Sequence, residues 1–343
     1  MADANNVLWS NNLNFATGVT ISDIAFLSSG DNLIIYIATS GGLYQSIDNG
    51  INWTQKSTSF ISDLTISQGL LNDIYTVQSN GINISKDGGS TYKILSLGPL
   101  TPVYGYPLQY NKVFVDPSNQ NNLFVPVVSV NYSASGTLYK SIDAGQNWMA
   151  LKRTSSFSNI NDLLFDNANP NHLVVGTESG IFNTFDGGVT WQLSNITGNS
   201  GSNLFIHSLY NFNGIFFAGT NGGLFRSTDK GISWIAVNGI SGDQIIAVTN
   251  DLNNLGRMFC GGTQGHIYLS NDGGLNWNLL ATTPSGNEVH KILFDPKNNL
   301  LMTGVIGNSS FAVGTVSNVI ISNTFPINGT IGPDNLVGTQ YDD

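Results

Sequence analysis

Six short segments of this chain repeat one pattern, and the repeat constrains the fold more than any other feature of the sequence. The pattern reads Ser/Thr-x-Asp-x-Gly-x-x-Trp/Tyr, and its aspartates are Asp48, Asp87, Asp143, Asp186, Asp229 and Asp272. Neighbouring aspartates are 39, 56, 43, 43 and 43 residues apart. A regular period of this length indicates that the chain is built from repeated structural units.

The repeated box has the residues of a tight turn. The aspartate carboxylate can accept hydrogen bonds from the backbone of its own turn, and the glycine two residues later can adopt a positive φ. The Ser or Thr hydroxyl can hold the start of the turn, and the aromatic residue can pack between neighbouring sheets. We therefore predict that the six aspartates are structural and are neither catalytic residues nor metal ligands.

The rest of each unit predicts short strands. An apolar run, a second strand and a Gly-[Leu/Ile/Tyr]-x-Ser strand precede the box, and the aromatic strand follows it. No helical period of useful length is present. Units of four strands repeated about every 43 residues predict the antiparallel blades of an all-β propeller.

The number of blades depends on how the two ends of the chain are interpreted. Six boxes give six blades, but strand-like runs at 290–295 and 300–306 follow the last box, and residues 311–323 and 7–15 look like eroded units. We predict a single seven-bladed propeller over residues 1–330, its last blade closed by both termini, with six blades as the alternative. Residues 331–343 are predicted to form a C-terminal tail.

The boxes resemble those of the Asp-box (bacterial neuraminidase repeat) β-propellers. This superfamily includes sialidases, xyloglucan-cleaving enzymes, sortilin-type receptors and a photosystem II assembly factor. The Gly-Thr-x-x-Gly-[Leu/Ile]-[Tyr/Phe]-x-Ser segments are most similar to the last three of these groups. The resemblance covers residues 18–325 and implies that the boxes lie on one face, with the starts of the inner strands on the other. It implies a fold and leaves the function open.

Composition excludes several classes of function. The chain carries 12 Lys and Arg against 22 Asp and Glu, a net charge of -10, and is 10% charged compared with about 25% for soluble domains. A nucleic-acid partner and an anionic membrane are therefore not expected. We find no apolar run of membrane-spanning length and no signal peptide in this chain. One cysteine, Cys260, and four scattered histidines offer no disulfide or metal motif, so no metal or cofactor is expected.

Aligning the inner strands on their last apolar residue places polar side chains at one equivalent position. They are Asp23, Asp63, Lys112, Asp162, His207 and Lys291. Asp243 lies near this position in the sixth unit. We predict a polar ring at the mouth of the central channel, which is either a hydrated channel lining or a site for a ligand or partner.

The 56-residue interval predicts a second contact surface. Its extra residues fall at 94–110 and 129–136, and they carry Tyr104, Tyr106, Tyr110 and Tyr132. Tyrosines on long loops are typical of interaction surfaces. The alternative is that these loops are ordinary packed loops.

The sequence favours a non-enzymatic interaction or structural module. The arginine triad of a sialidase is absent, and one propeller cannot form the two-propeller cleft of the xyloglucan-cleaving relatives. A glycoside hydrolase that uses the channel aspartates remains the alternative. We expect a protein partner or assembly, with a glycan as a further possibility. The chain has 44 asparagines and few charged residues, which suits an extracellular or virion-surface protein.

Overall fold

Sheets of four or five short strands make up the described part of the chain. The structure is a computed structural model. It describes residues 7–14, 19–29, 32–67, 73–78, 81–97, 108–110, 112–129, 137–151, 159–198, 204–240, 242–283, 286–296, 299–304 and 310–316. Over these ranges no helix is long and apolar enough to cross a membrane. The all-β prediction is confirmed.

Six of the sheets each contain one Asp-box, and we number them blades 1 to 6 along the chain. Blade 1 comprises β2 (Ile21–Ser29), β3 (Asn32–Thr39), β4 (Gly42–Ser46) and β5 (Thr54–Ser57). Blade 2 comprises β6 (Asp63–Ile66), β7 (Ile74–Gln78), β8 (Gly81–Ser85) and β9 (Lys93–Leu95). Blade 3 comprises β10 (Leu108–Tyr110), β11 (Phe114–Val115), β12 (Leu123–Ser129), β13 (Thr137–Ser141) and β14 (Met149–Ala150).

The next three blades follow the same plan. Blade 4 comprises β15 (Ile160–Phe165), β16 (Leu173–Thr177), β17 (Gly180–Thr184) and β18 (Gln192–Leu193). Blade 5 comprises β20 (Ile206–Phe212), β21 (Ile215–Thr220), β22 (Gly223–Ser227) and β23 (Ser233–Ala236), and β19 (Asn195–Thr197) pairs in parallel with β23. Blade 6 comprises β24 (Ile245–Asp251), β25 (Asn254–Gly262), β26 (His266–Ser270) and β27 (Asn278–Thr282).

One further sheet carries no box and joins the two ends of the chain; we call it the closing sheet. Its order is β1 (Val7–Asn14), β30 (Ser310–Val316), β29 (Leu300–Gly304) and β28 (Lys291–Asp295). Counted by Asp-boxes, the propeller has six blades. Counted by sheets within the described residues, it has seven.

The boxes form the hydrogen bonds that their residue types predict. In the first box the Ser46 hydroxyl donates to Oδ1 of Asp48 at 2.8 Å and accepts the Gly50 amide at 2.9 Å. Oδ1 of Asp48 also accepts the Asn52 amide at 2.8 Å. The later boxes repeat these contacts, so the aspartate joins the two ends of each turn. The hydroxyl and amide of Thr91 lower the pKa of Asp87 to about 2.

The hydrophobic core is divided into clusters that each join two sheets. Trp234 and Trp277 are fully buried in two of these clusters, and each donates its indole N–H to the glycine carbonyl of its own box. Another cluster packs Met302 of the closing sheet against Ile24 and Ile35 of blade 1. Burial between consecutive sheets therefore continues around the molecule and returns to its start.

Candidate functional site

A cavity of about 570 Å3 lies where the inner strands of the sheets begin. It is lined by all six side chains predicted for the ring: Asp23, Asp63, Lys112, Asp162, His207 and Lys291. The structure therefore brings together residues that are up to 268 positions apart in the sequence. A volume of this size falls in the range of about 300–1,000 Å3 that is usual for ligand pockets.

Three of the ring aspartates connect neighbouring blades. Oδ2 of Asp23 accepts the Leu64 amide at 3.0 Å, and Oδ2 of Asp63 accepts the Val113 amide at 3.1 Å. In the same way, Oδ2 of Asp162 accepts the amide of Leu209 at 2.7 Å. In every case the amide belongs to the inner segment of the next blade. These carboxylates therefore hold the blades together in addition to lining the cavity.

The side of the cavity formed by blades 1 to 3 and the closing sheet is charged. Nζ of Lys291 lies 3.1 Å from Oδ1 of Asp23, and the negative charge of Asp23 raises the pKa of this lysine. Burial, with a smaller contribution from Asp23, raises the pKa of Asp63 to about 7, although Lys112 acts in the opposite direction. Opposite charges thus occupy this side in close proximity.

The side formed by blades 5 and 6 is largely uncharged. Phe205, His207, Ile246 and Val248 line it. Burial lowers the pKa of His207, which keeps its imidazole neutral near pH 7. Its Nε2 atom is buried and has no hydrogen-bond partner among the described residues. The cavity therefore has one charged wall and one neutral wall.

The register of blade 5 differs from the sequence alignment by one residue. β20 is bulged so that Ile206 pairs with Thr220 and Ser208 with Gly219, just as Ile160 pairs with Thr177 and Asp162 with Gly176 in β15. Ser208, and not His207, therefore occupies the position of Asp162. The sequence alignment matched Tyr210 with Phe165, which places His207 opposite Asp162. β20 continues past Tyr210 to Phe212, so His207 was placed one position too early.

The shifted register reveals a second set of lining residues, of which sequence reasoning found only His207. Each lies one position before the ring: Ser22, Ser62, Asn161, His207, Ile246 and His290 line the cavity. Nε2 of His290 lies 2.8 Å from Oε2 of Glu288, and burial lowers the pKa of this histidine. The signal was present in the sequence, since each residue directly precedes a ring position, but recognising it requires the bulge.

Asp243 does not line the cavity. It is buried, and its Oδ2 lies 3.0 Å from Nδ1 of His266 and 3.2 Å from the hydroxyl of Tyr268. Its Oδ1 accepts the amide and the hydroxyl of Thr263. Asp243 therefore orders the turn between β25 and β26.

Of the four tyrosines predicted to form a second contact surface, only Tyr110 lies within the described residues. Tyr110 is half-buried in β10 and packs against the core cluster between blades 2 and 3. The other three residues of the predicted surface, Tyr104, Tyr106 and Tyr132, lie outside the described residues. Tyr110 therefore contributes to the packing between blades 2 and 3.

The lining side chains offer charge and hydrogen-bonding groups. In the described residues no group of three or more His, Cys, Asp or Glu side chains is placed to hold a metal ion. Cys260 is buried in the core between blades 5 and 6, and burial raises the pKa of its thiol well above the usual value.

Comparison with protein families gives two overlapping matches. The family model described as the DUF6242 beta propeller domain matches residues 2–197. A second model, described as the photosynthesis system II assembly factor YCF48, matches residues 154–308. No curated protein sequence matches this chain.

Solved structures of several propellers are similar to this one. A structure titled YCF48 bound to D1 peptide aligns with a TM-score of 0.64 and 17% identity, covering 92% of this chain and 96% of that chain. The extracellular domain of the two-component system BT4673 from B. thetaiotaomicron aligns with a TM-score of 0.67 and 17% identity, covering 90% of this chain and 40% of that chain. The GH74 xyloglucanase from Xanthomonas campestris aligns with a TM-score of 0.62 and 16% identity, covering 89% of this chain and 53% of that chain. These likenesses show the fold, and this chain spans less than two thirds of the last two proteins.

Proposed function

The chain belongs to the DUF6242 β-propeller domain family, and we propose that it is a non-catalytic propeller that binds a protein partner at the central cavity. The family model of an assembly factor matches nearly half of the chain, and one similar structure is titled as that factor bound to a peptide. A cavity with a charged and a neutral wall suits a peptide segment, since peptides present both kinds of group.

The observation that carries this proposal is the use of the ring carboxylates as links between blades. Glycoside hydrolysis needs one carboxyl to donate a proton and a second to act as base or nucleophile. Asp23, Asp63 and Asp162 each accept an amide of the next blade, and Asp23 also pairs with Lys291. Groups held in this way favour a fixed binding surface over proton transfer.

Peptide selection with a blocked variant tests the proposal. Peptides selected from a display library on the whole chain should lose at least tenfold in affinity for Ser62→Trp, because Ser62 is exposed at the cavity. The matched control is Thr228→Trp, an exposed box residue, and it should bind them unchanged. Selection of no peptide, or equal binding by both variants, would refute a partner site at the cavity.

A glycoside hydrolase is the second candidate, and the raised pKa of Asp63 is the observation that favours it. A carboxyl that titrates near 7 beside a second carboxylate has the properties of a general acid. Incubation with a panel of polysaccharides that includes xyloglucan should release reducing sugar only if this candidate is right. That release should disappear in Asp63→Asn.

We propose that the protein works outside the cell or on a virion surface. The scarcity of charged residues and the 44 asparagines support this location. Mass spectrometry of particles, medium and cells from a culture that produces the protein should find it in the first two fractions. Recovery from the cells alone would contradict this location.

A further inference from the structure

We propose that the partner inserts a basic side chain, lysine or arginine, into the cavity, where its cation meets Asp162 and its alkyl stem lies on the neutral wall. This inference rests on the proposed function and specifies the chemistry of the group that is bound. It follows from the charge balance of the lining, from the surroundings of Asp162 and from the apolar side chains opposite it.

The charge balance of the lining is negative. Four carboxyl groups face two lysines: Asp23, Asp63, Asp162 and Glu288 against Lys112 and Lys291. The balance stays negative near pH 7 although Asp63, whose pKa is raised to about 7, is then only partly ionised. Lys291 pairs with Asp23, and Lys112 lies close enough to Asp63 to lower the pKa of that carboxyl. His207 and His290 do not offset the remaining charge, because burial lowers the pKa of both rings. Asp162 also acts on Lys291, but Asp23 is the larger influence on that lysine, so the lining keeps an excess of negative charge at Asp162 and Glu288.

Asp162 is positioned to receive a cation. Its Oδ1 accepts the Leu163 amide at 2.9 Å, and its Oδ2 accepts the Leu209 amide at 2.7 Å. Each carboxylate oxygen has a second lone pair for a further donor. Among the described lysines, arginines and histidines, none lies within ion-pair distance of Asp162. The two amides fix the carboxylate, so little ordering is needed when a cation binds.

The neutral wall fits the body of a basic side chain. Phe205, Ile246 and Val248 line it, and the ring position of blade 6 is occupied by Ala247. Lysine and arginine place their methylene stems along apolar surface while their charge stays in a polar environment. An acidic group would instead have to compete with Asp23 for Lys291 or with Asp63 for Lys112.

The test compares peptides that differ only in one charge. Peptides selected on the whole wild-type chain should share a lysine or arginine, and replacing it by glutamine should weaken binding at least tenfold. Asp162→Asn should weaken binding of the lysine peptide by about tenfold and leave the glutamine peptide unchanged, since the loss of one close charge pair has effects of this order. Asp186→Asn, on a box, is the control and should change neither affinity.

The outcomes separate this inference from the proposed function. Cavity-binding peptides without a basic preference, or with an acidic preference that is lost in Lys112→Gln, would overturn the inference and leave partner binding intact. Failure to select any peptide would overturn partner binding itself. If Asp162→Asn does not fold, the comparison of the lysine and glutamine peptides on the wild-type chain still decides whether the cavity prefers a basic side chain. Glu288→Gln supplies a second variant.

Discussion

At the scale of single residues, the ring aspartates combine two roles. Each of Asp23, Asp63 and Asp162 lines the cavity and accepts an amide from the next blade. The sequence predicts a polar ring, because these aspartates recur at the same place in successive inner strands. It does not predict the amide partners, since these depend on how the inner strands of consecutive blades lie against each other.

Asp63 should make stability fall as the pH rises. Its pKa in the folded chain is raised to about 7, chiefly by burial, from its usual value of 3.8. The folded state therefore binds more protons than the unfolded state between these values, so the free energy of unfolding decreases from about pH 4 to 7. Asp63→Asn removes this titration. In urea unfolding, the free energy of unfolding of the variant should therefore rise relative to that of the wild type as the pH increases over that interval.

An Asp-box carboxylate supplies the control with the opposite sign. The pKa of Asp87 is lowered to about 2, first by the Thr91 hydroxyl, so its contribution is present above its unfolded pKa of 3.8 and is lost as the pH falls toward 2. The difference in the free energy of unfolding between Asp87→Asn and the wild type should therefore be flat from about pH 5 to 7. A flat difference for Asp63→Asn as well would contradict the proposed titration.

Replacing Asp162 should separate its hydrogen bonds from its charge. Asp162→Ala leaves the amides of Leu163 and Leu209 without their acceptor and should lower the free energy of unfolding by about 1–3 kcal/mol. Asp162→Asn keeps one acceptor oxygen and should lose less. Equal unfolding midpoints for the two variants in urea would show that the amides find other acceptors.

At the scale of elements, the Asp-box turn is the part that the sequence predicts most completely. Its hydroxyl, carboxylate, glycine and aromatic residue make the contacts that their chemistry indicates. The inner strand β20 was less predictable, because apolar residues continue past the length of the corresponding strand in blade 4. The parallel pairing of β19 with β23 has no sequence signal, since parallel and antiparallel neighbours select similar residues at an outer edge.

Two adjacent glycines of the last box should differ sharply in their tolerance of a side chain. Both have positive φ, 71° at Gly273 and 82° at Gly274. A Cβ atom at Gly274 would lie 2.4 Å from the ring of Phe217, whereas at Gly273 it would meet nothing within 4 Å. Gly273→Ala should cost about 1–2 kcal/mol for its backbone conformation. Gly274→Ala should cost about 1–3 kcal/mol more because of the contact.

Thermal and urea unfolding of the two glycine variants check this prediction. The chain already contains the comparison, since Asn49, Ala144 and Lys230 occupy the position of Gly273 in other boxes with φ near 60°. The position of Gly274 is glycine in all six boxes. Similar losses of stability at the two positions would contradict a role for the contact with Phe217.

At the scale of the whole molecule, the ring depends on pairing between strands from the two ends of the chain. β1 pairs with β30 from Val7 opposite Val316 to Asn14 opposite Ser310, and both valines are buried in the core cluster next to blade 6. The sequence indicates this closure only weakly, because neither terminal segment carries a complete box. Pattern matching finds the boxes, whereas the closing sheet is specified by burial and backbone pairing.

Removal of β1 should open the ring and be reversible by adding the strand back. A chain that lacks residues 1–14 loses β1, one of the two strands that pair with β30, and the burial of Val7. Its melting temperature should therefore fall by several degrees. A synthetic peptide of residues 7–14 should restore part of the loss, and a scrambled peptide should not. An unchanged melting temperature in the truncated chain would show that the ring holds without this strand.

The pairing of β1 with β30 also determines how the molecule responds to mechanical force. Because the two strands are antiparallel, residue 7 at the start of β1 lies opposite residue 316 at the end of β30. Tension applied through these two points acts across the strands and not along them. The ladder between them is then loaded one residue pair at a time, as in peeling, and it separates at a lower force than if all its hydrogen bonds were sheared together.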